Sequence, residues 1–358
     1  MNERDKIVLG ALFHDIGKVV YRASQRPSRK THQELGSEWI KGHLSQIFGD
    51  DVARELADFA LYHHFSPKNH PELDVRNQNR NDLLLVAHAD SVSSGERKKI
   101  DYDDTKFDPS RPLRSAFSSI KTEGKPEAKP VFYTLRRLSE GIFYPRESLK
   151  LTPEDYQMVL NEFENALKEK MLNPDALLNV LEEYFSLIPS HTAEAEGVGT
   201  DVSLYDHLKT TAAIALAAYN YLAEVHGIDE KETLFSQLPS DEITDTKTKR
   251  YMFIGVDISG IQNFIYTISS KGALKLLRAR SFYVEMLLEF LAIRILKELN
   301  LYRTNLLFLG GGNFIILAQN TENARKSVDL IIHDFNERLF DEHQGKLWLV
   351  HDYVEFEG

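Results

Sequence analysis

The chain has no cysteine among its 358 residues. Disulfides and thiolate metal sites are therefore excluded, and any metal must rest on His, Asp and Glu. The same absence favours a cytoplasmic location. No apolar run approaches the roughly 20 residues that a bilayer span needs, so no membrane partner is expected. The N-terminus, MNERDKIVLGALFHD, places acids early and a His-Asp pair inside its apolar stretch, which argues against a secretory leader. An excess of positive charge is lacking too. There are 43 Lys and Arg against 54 Asp and Glu, a formal net charge of -11. No global basic field advertises nucleic-acid binding, although a local basic groove, or one supplied by a partner, remains compatible. What is present is ordinary globular composition, 42% hydrophobic and 27% charged. The length suggests about two or three domains.

Residues 4–100 show helical periodicity. Ile7, Val8, Leu12, Ile16 and Val19 mark one stripe, Gly36, Ile40, Leu44 and Ile47 a second, and Val52, Leu56, Phe59 and His63 a third. Asn81 or Asp82 is placed to cap a fourth helix through LLLVAHADSV. Residues 101–150 have little pattern and read as an irregular excursion. Helical spacing returns over 152–187, and SLYDHLKTTAAIALAAYNYLAEV from Ser203 reads as a helix with an Ala-rich face. The polar stretch 228–250 is the clearest boundary. After it come a strand (251–257), a turn at Ser259-Gly260, two helices, a hairpin of two strands around Gly310-Gly311-Gly312-Asn313, a helix and a last strand. That order matches a ferredoxin-like βαββαβ unit. The expected class is α+β: a helical core at 1–100, a helical extension and linker at 101–245, and a ferredoxin-like domain at 250–358.

The chemistry concentrates in histidines and aspartates. His14 and Asp15 lie within an apolar helical pattern, where an ionisable pair is costly unless something compensates it. A divalent metal does so directly, since neutral imidazole and carboxylate both suit first-row metals. Alone, the pair reads better as a hydrogen-bonded core histidine beside a helix-end aspartate. It is accompanied by His32 opening the second helix, His63 and His64 closing the third, and Asp90 on the inward stripe of the fourth. Four helices can bring these six side chains together, with one Asp bridging two ions. Paired ions roughly 3.5–4 Å apart stabilise the attacking and leaving oxygens of a phosphodiester displacement. His43, His70 and His226 read as surface or capping residues, and His88 as a supporting one. Lys18 is next to the site and suits phosphate charge, or is simply an exposed helix lysine. Arg22, Arg26, Arg29 and Lys30 form a basic strip that suits a DNA strand or is merely a solvated loop.

In the C-terminal part, Asp257 stands near a strand end, and Ser259 and Gly260 turn into a helix whose N–H groups can hold phosphate. With Gly311 and Gly312 of the hairpin these are candidate nucleotide contacts. Two-metal palms need acids on both the first strand and the hairpin. Here Gly312-Asn313 occupies the hairpin position, so the palm reads as catalytically incomplete, or as a purely structural ferredoxin-like domain.

The residues HDIGK at 14–18, His32 with Gly36, His63-His64 and Asp90 resemble the HD superfamily of metal-dependent phosphohydrolases. In that superfamily a histidine on a preceding helix usually completes one metal site. None occurs among the 13 residues before His14. The helix carrying His207 is similar to the one that bears that histidine, which would make the domain circularly permuted and His207 a seventh ligand. A partly exposed histidine on a packing helix is the other reading. With DISGIQNFIY, LRARSFYVE and LLFLGGGNF following, the whole chain resembles the large subunit of type III-A CRISPR effector (Csm) complexes, the Cas ten family. Family members commonly have SGIQDF and GGGH where this chain has SGIQNF and GGGN.

The resemblance implies a single-stranded DNA nuclease on the HD site and guide-RNA-bearing effector subunits as partners, with target RNA engaged indirectly. It implies one or two divalent ions, with Mn, Ni or Co suiting a His-rich site better than Mg. It also implies a chain about twice this length that continues to a second palm with a Gly-Gly-Asp-Asp motif. No such motif occurs here, so ATP binding and cyclic oligoadenylate synthesis are expected only with that missing palm, and the chain reads as a fragment, a truncation or a split protein. Other readings are an HD nucleotide phosphohydrolase or cyclic-dinucleotide phosphodiesterase, and a non-catalytic assembly module.

Overall fold

A computed structural model describes residues 1–24, 29–65, 70–95, 108–120, 123, 129–141, 144–168, 173–192, 200–228, 238–267 and 272–358. The chain divides into two compact units, 1–215 and 216–358.

The first unit is helical. Helices α1 (Glu3–Phe13), α2 (Ile16–Ala23), α3 (His32–Phe48), α4 (Asp50–Leu61) and α5 (Asn81–Ser93) come first; α6 (Pro153–Lys168), α7 (Pro174–Phe185) and α8 (Leu204–Val225) follow. The unit boundary falls inside α8. Helix α1 is buried all round from Ile7 to Phe13, so it is the axis of this core rather than a surface helix. Glycines set how closely its neighbours approach. A Cβ on Gly17 of α2 would lie 1.8 Å from the His32 carbonyl oxygen, so α2 crosses the start of α3 at a separation only glycine permits. A capping box fixes that start: Thr31 and Glu34 satisfy each other's backbone N–H groups.

The periodicity at 4–23 predicts one helix through the His-Asp pair. The chain instead breaks there, with His14 capping α1 and Asp15 preceding α2. Arg22, expected on a strip facing DNA, is buried in the core. Its guanidinium donates to the Pro189 carbonyl at 2.6 Å and lies 5.8 Å from the centre of the Tyr156 ring. Its apolar stem packs in that interior and one end of its head pairs with a carbonyl, which places it away from a solvated strip. The described residues between 108 and 150 hold short 3-10 turns and isolated bridges, Arg114 to Phe132 and Phe132 to Arg146. Arg26 lies outside the described residues.

The second unit is a four-stranded antiparallel sheet with helices. After the short α9 (Ser240–Ile243) come β1 (Tyr251–Ser259), α10 (Ile261–Tyr266), α11 (Ala273–Glu298), β2 (Leu306–Gly310), β3 (Asn313–Gln319), α12 (Glu322–His343) and β4 (Trp348–Phe356). The strand order is β2-β3-β1-β4, the ferredoxin-like arrangement. Met252, Ile254, Val256 and Ile258 form one buried face of β1. Val284, Leu288 and Leu291 of α11, with Val328, Ile332 and Leu339 of α12, supply the helical side of this core. Among the described residues no helix is long and apolar enough to cross a membrane.

Candidate metal centre

The ends of helices build the site. The last carbonyls of a helix have no intrahelical partner. His14, capping α1, donates Nδ1–H to the Ala11 carbonyl at 2.6 Å; His63, just past α4, donates to the Ala60 carbonyl at 2.8 Å. Each bond fixes a tautomer in which Nε2 carries the lone pair and faces inward, as a metal-binding imidazole requires. His207 arrives on the first turn of α8, whose start is set by Ser203 accepting from Asp206 N at 3.0 Å. Its Nδ1 is held 3.1 Å from Ser93 Oγ at the end of α5. Ser93 was not foreseen; its only mark in the sequence is its position three residues after Asp90, on nearly the same helical face.

The inward atoms form two groups, His14, Asp15, Asp90 and His207 in one, and His32, His63 and His64 in the other. Asp15 joins them. Its Oδ2 lies 3.5 Å from His14 Nε2 and 3.3 Å from His207 Nε2, while its Oδ1 lies 3.4 Å from His63 Nε2 and 3.7 Å from His32 Nε2. Asp90 Oδ1 is 3.0 Å from His207 Nε2 and 3.6 Å from His14 Nε2; its Oδ2 is 3.9 Å from His64 Nδ1. Lys18 ion-pairs with Asp15 Oδ2. His14, Asp15, His63 and His207 are closed off from solvent, but the side chains of His32 and His64 keep 28% and 36% of their surface exposed.

Two observations say that these atoms suit cations. First, Nε2 of His14 and of His207 and Oδ1 of Asp15 are buried without a hydrogen-bond partner among the described residues, which is costly for groups left bare. Second, His32 Nε2 sits 3.3 Å from His63 Nε2 and 3.2 Å from His64 Nε2. His63 Nε2 has no proton to give, and a neutral His32 has one Nε2 proton at most. A cation shared by the three lone pairs removes the conflict. The donor set, rich in imidazole with carboxylate between, fits divalent first-row metals.

The charges follow the same division. Burial opposes charge on His14, but Asp15 and Asp90 prevail and raise its pKa to about 10. Burial acts the other way on Asp15, where Lys18 and His14 hold the carboxyl well below its usual range. Asp90 is likewise held down, against burial, by the imidazoles of His14 and His207 beside it. Burial, with His63 nearby, lowers His32 to about 3 against the pull of Asp15, and burial, with His63 and His32, drives His64 down. The first group is therefore anionic around a protonated imidazole when no metal is present, and His32 and His64 stand neutral.

The remaining candidates fall elsewhere. Arg29 and Lys30 are exposed two or three residues before His32, with Lys30 bound to Glu38 at 2.5 Å. His43 pairs with Glu164, His70 with Glu72 and His226 with Glu242, outside both groups. In the second unit Gly311 and Gly312 line a cavity of about 350 Å³ with Ile261, Ser281, Glu285 and Leu288. Asp257, Ser259 and Gly260 are exposed and not part of its lining; Asp257 faces Asn313 across the ladder.

Comparison with known proteins gives these units counterparts. Residues 1–95 match the family model described as HD domain, and residues 250–358 the one described as Csm1 subunit domain B. The chain is 35% identical to the Enterococcus italicus protein named CRISPR system single-strand-specific deoxyribonuclease Cas10/Csm1 (subtype III-A), over 91% of this chain and 43% of that protein. Its Mycobacterium tuberculosis namesake is 33% identical over 96% and 44%. Csm1 of T. onnurineus superposes with a TM-score of 0.75 at 30% identity, covering 99% of this chain and 45% of that one. A Csm1-Csm4 cassette in complex with cA4 gives 0.74 at 28% identity, covering 100% and 45%. The chain thus spans less than half the length of these relatives.

Proposed function

We propose, for a chain homologous to the Cas10/Csm1 proteins of subtype III-A over 91% of its length, that the HD unit is a metal-dependent nuclease cutting single-stranded DNA within a CRISPR effector complex. The observation that carries this reading is Asp15, whose two carboxylate oxygens each face a different set of inward imidazoles. His14, Asp15, Asp90 and His207 would hold one divalent ion, and His32, His63 and His64, with Asp15 between the sets, would hold the other. Mn, Ni or Co suits these nitrogen donors better than Mg. When bound, the ions supply Lewis acidity to a phosphoryl oxygen and lower the pKa of water towards 7.

The chain's own residues do the rest. The carbonyls of Ala11 and Ala60 keep His14 and His63 in the ligating tautomer. Lys18 holds positive charge beside Asp15, where a phosphodiester would bring negative charge. The strand enters past His32 and His64, the two exposed ligands, and Arg29 and Lys30 immediately precede His32 on that side. Relatives named as single-strand-specific deoxyribonucleases support the substrate class, and a solved Csm1-Csm4 subcomplex of the type III-A interference complex supports effector subunits as partners. The location is cytoplasmic. The palm-like unit contributes one face to a nucleotide and lacks the hairpin acids for cyclic oligoadenylate synthesis.

The test is metal content by mass spectrometry together with cleavage of end-labelled single-stranded DNA in Mn²⁺. The reading expects metal and cleavage in the native chain and neither in the His14→Ala, Asp15→Ala variant. Cleavage that survives in that variant sinks it. Turnover of mononucleotides but not DNA shifts the reading to a nucleotide phosphohydrolase, and no metal with no turnover to an assembly module.

A further inference from the structure

Residues 108–150 looked unpatterned in sequence, and neither family model matches them. They nevertheless form a walled cavity of about 290 Å³, lined by Arg111, Arg114, Lys150, Asp108 and Phe132 with prolines 112 and 130. That volume is at the low end of the roughly 300–1,000 Å³ of small-molecule sites. Backbone pairs from four separate stretches fix the walls. Arg114 N donates to the Thr200 carbonyl at 2.9 Å, Leu151 N to Ser110 at 2.8 Å, and Phe132 exchanges both bonds with Arg146 at 2.9 Å. Thr200 Oγ1 donates to the Pro112 carbonyl at 2.9 Å.

The lining has three cations against one carboxylate in a chain of net charge -11. The carboxylate is already engaged, because Asp108 Oδ1 accepts from Ser110 N at 2.9 Å and Ser110 Oγ at 2.7 Å. Those bonds hold its carboxyl below the usual range, with Arg111 and Lys150 adding to the effect, so both cationic heads act at this rim. Arg114 Nε is buried and has no hydrogen-bond partner, although its NH2 lies 3.4 Å from the Ser118 carbonyl. The residue as a whole is half-buried and lines the cavity, where its charge and remaining N–H groups favour an anion. The half-buried Phe132 adds a flat apolar wall against which a base can stack.

The geometry points to a phosphate-binding pocket here, one that takes a nucleotide with its phosphate on Arg111, Arg114 and Lys150 and its base against Phe132. The nucleotide is either free or part of a single strand, and the chemistry is the same.

The test is equilibrium binding to the full chain in EDTA, in the His14→Ala, Asp15→Ala background, so that the outcome is independent of the nuclease reading. The probes are inorganic phosphate, AMP and an oligothymidylate. Lys150→Glu and Arg111→Glu are each expected to weaken AMP or oligothymidylate binding roughly tenfold or more, as loss of one charge-assisted bond implies. Their melting temperatures should match the parent's, with Lys150 exposed and thus the safer site for folding. Phe132→Leu should weaken AMP but not inorganic phosphate. Tighter AMP assigns a free nucleotide. Tighter oligothymidylate, with a salt slope reduced by about 0.7 per lost contact, assigns a strand. Unchanged affinity in both charge reversals, or no saturation by any probe at millimolar concentration, overturns the proposal.

Discussion

At the scale of single residues, the division of Asp15 between two imidazole sets makes the ligands separable. His207 belongs to one set and His63 to the other. His207→Ala should therefore remove one ion and leave the second, whereas Asp15→Ala should remove both; metal content per chain reads the difference directly. Proton linkage gives a second expectation. In the metal-free protein His14 is raised to about 10, so its contribution to stability is complete below pH 6.5 and fades as pH rises towards 10. His32 is lowered to about 3, so folding costs more as pH falls from 6.5 towards 3, where the unfolded state holds a proton that the folded one refuses. One such proton changes stability by at most about 1.4 kcal/mol per pH unit. With 28% of the His32 side chain exposed, solvent screens part of that. Denaturant unfolding in EDTA should show a maximum near neutral pH. His32→Asn should flatten the acid limb, and an unchanged limb would show that the acid sensitivity lies elsewhere, for instance in Asp15 and Asp90, which lose their contribution only below the usual carboxylate range.

At the scale of elements, the tightest requirement is the crossing of α2 over α3. A methyl group on Gly17 would sit 1.8 Å from backbone, and backbone cannot step aside as a side chain can. Gly17→Ala should cost about 3 kcal/mol or more by denaturant unfolding. Gly36→Ala is the control. Its nearest atom lies at 3.1 Å, and the roughly 1 kcal/mol of helix propensity gained offsets mild crowding, so its stability should stay close to the parent's. This crossing also explains how much was legible in the sequence. The apolar stripes were visible because period alone reports a buried face, and the hairpin glycines gave the sheet its order. The break between α1 and α2 was not visible, because Ile7 to Val19 keep helical spacing straight through it and the break depends on where Gly17 meets α3. The clustering of six of these side chains was legible because each of four helices carries one His or Asp motif. His207 needed a comparison of helices far apart in the chain, and Ser93 carried no recognisable pattern at all. Arg22 misled because a charged residue near a basic loop looks solvated, and only the fold supplies the Pro189 carbonyl that it pairs with. The cationic cavity around Arg114 was invisible for the opposite reason. Its walls come from stretches as far apart as 108 and 200, joined by isolated bridges that have no periodicity to detect.

At the scale of the whole molecule, the two units have their chemistry in different places and should fail separately. The clustered His and Asp candidates all lie before residue 216, and the glycine-lined cavity lies after it. The second unit has Asp257 at β1, but Asn313 opposite it and no acid at Gly310 to Gly312, so the pair of carboxylates that would hold two ions on a palm is missing. Its cavity offers backbone amides, Ser281 and Glu285, and Glu285 repels a phosphate chain rather than clamping it. ATP should therefore bind this cavity weakly, as read in the Lys150→Glu chain where the cationic pocket of the first unit is disabled, and give no cyclic product with Mn²⁺. Replacing His14 and Asp15 by alanine should abolish cleavage and leave the weak ATP isotherm and the melting of the sheet unit unchanged. Calorimetry and chromatography of the reaction products read both halves of this expectation. Stoichiometric micromolar ATP binding that survives Lys150→Glu would show that a single palm face suffices for affinity. Loss of ATP binding in the HD variant would show that the two units share one site rather than carrying two.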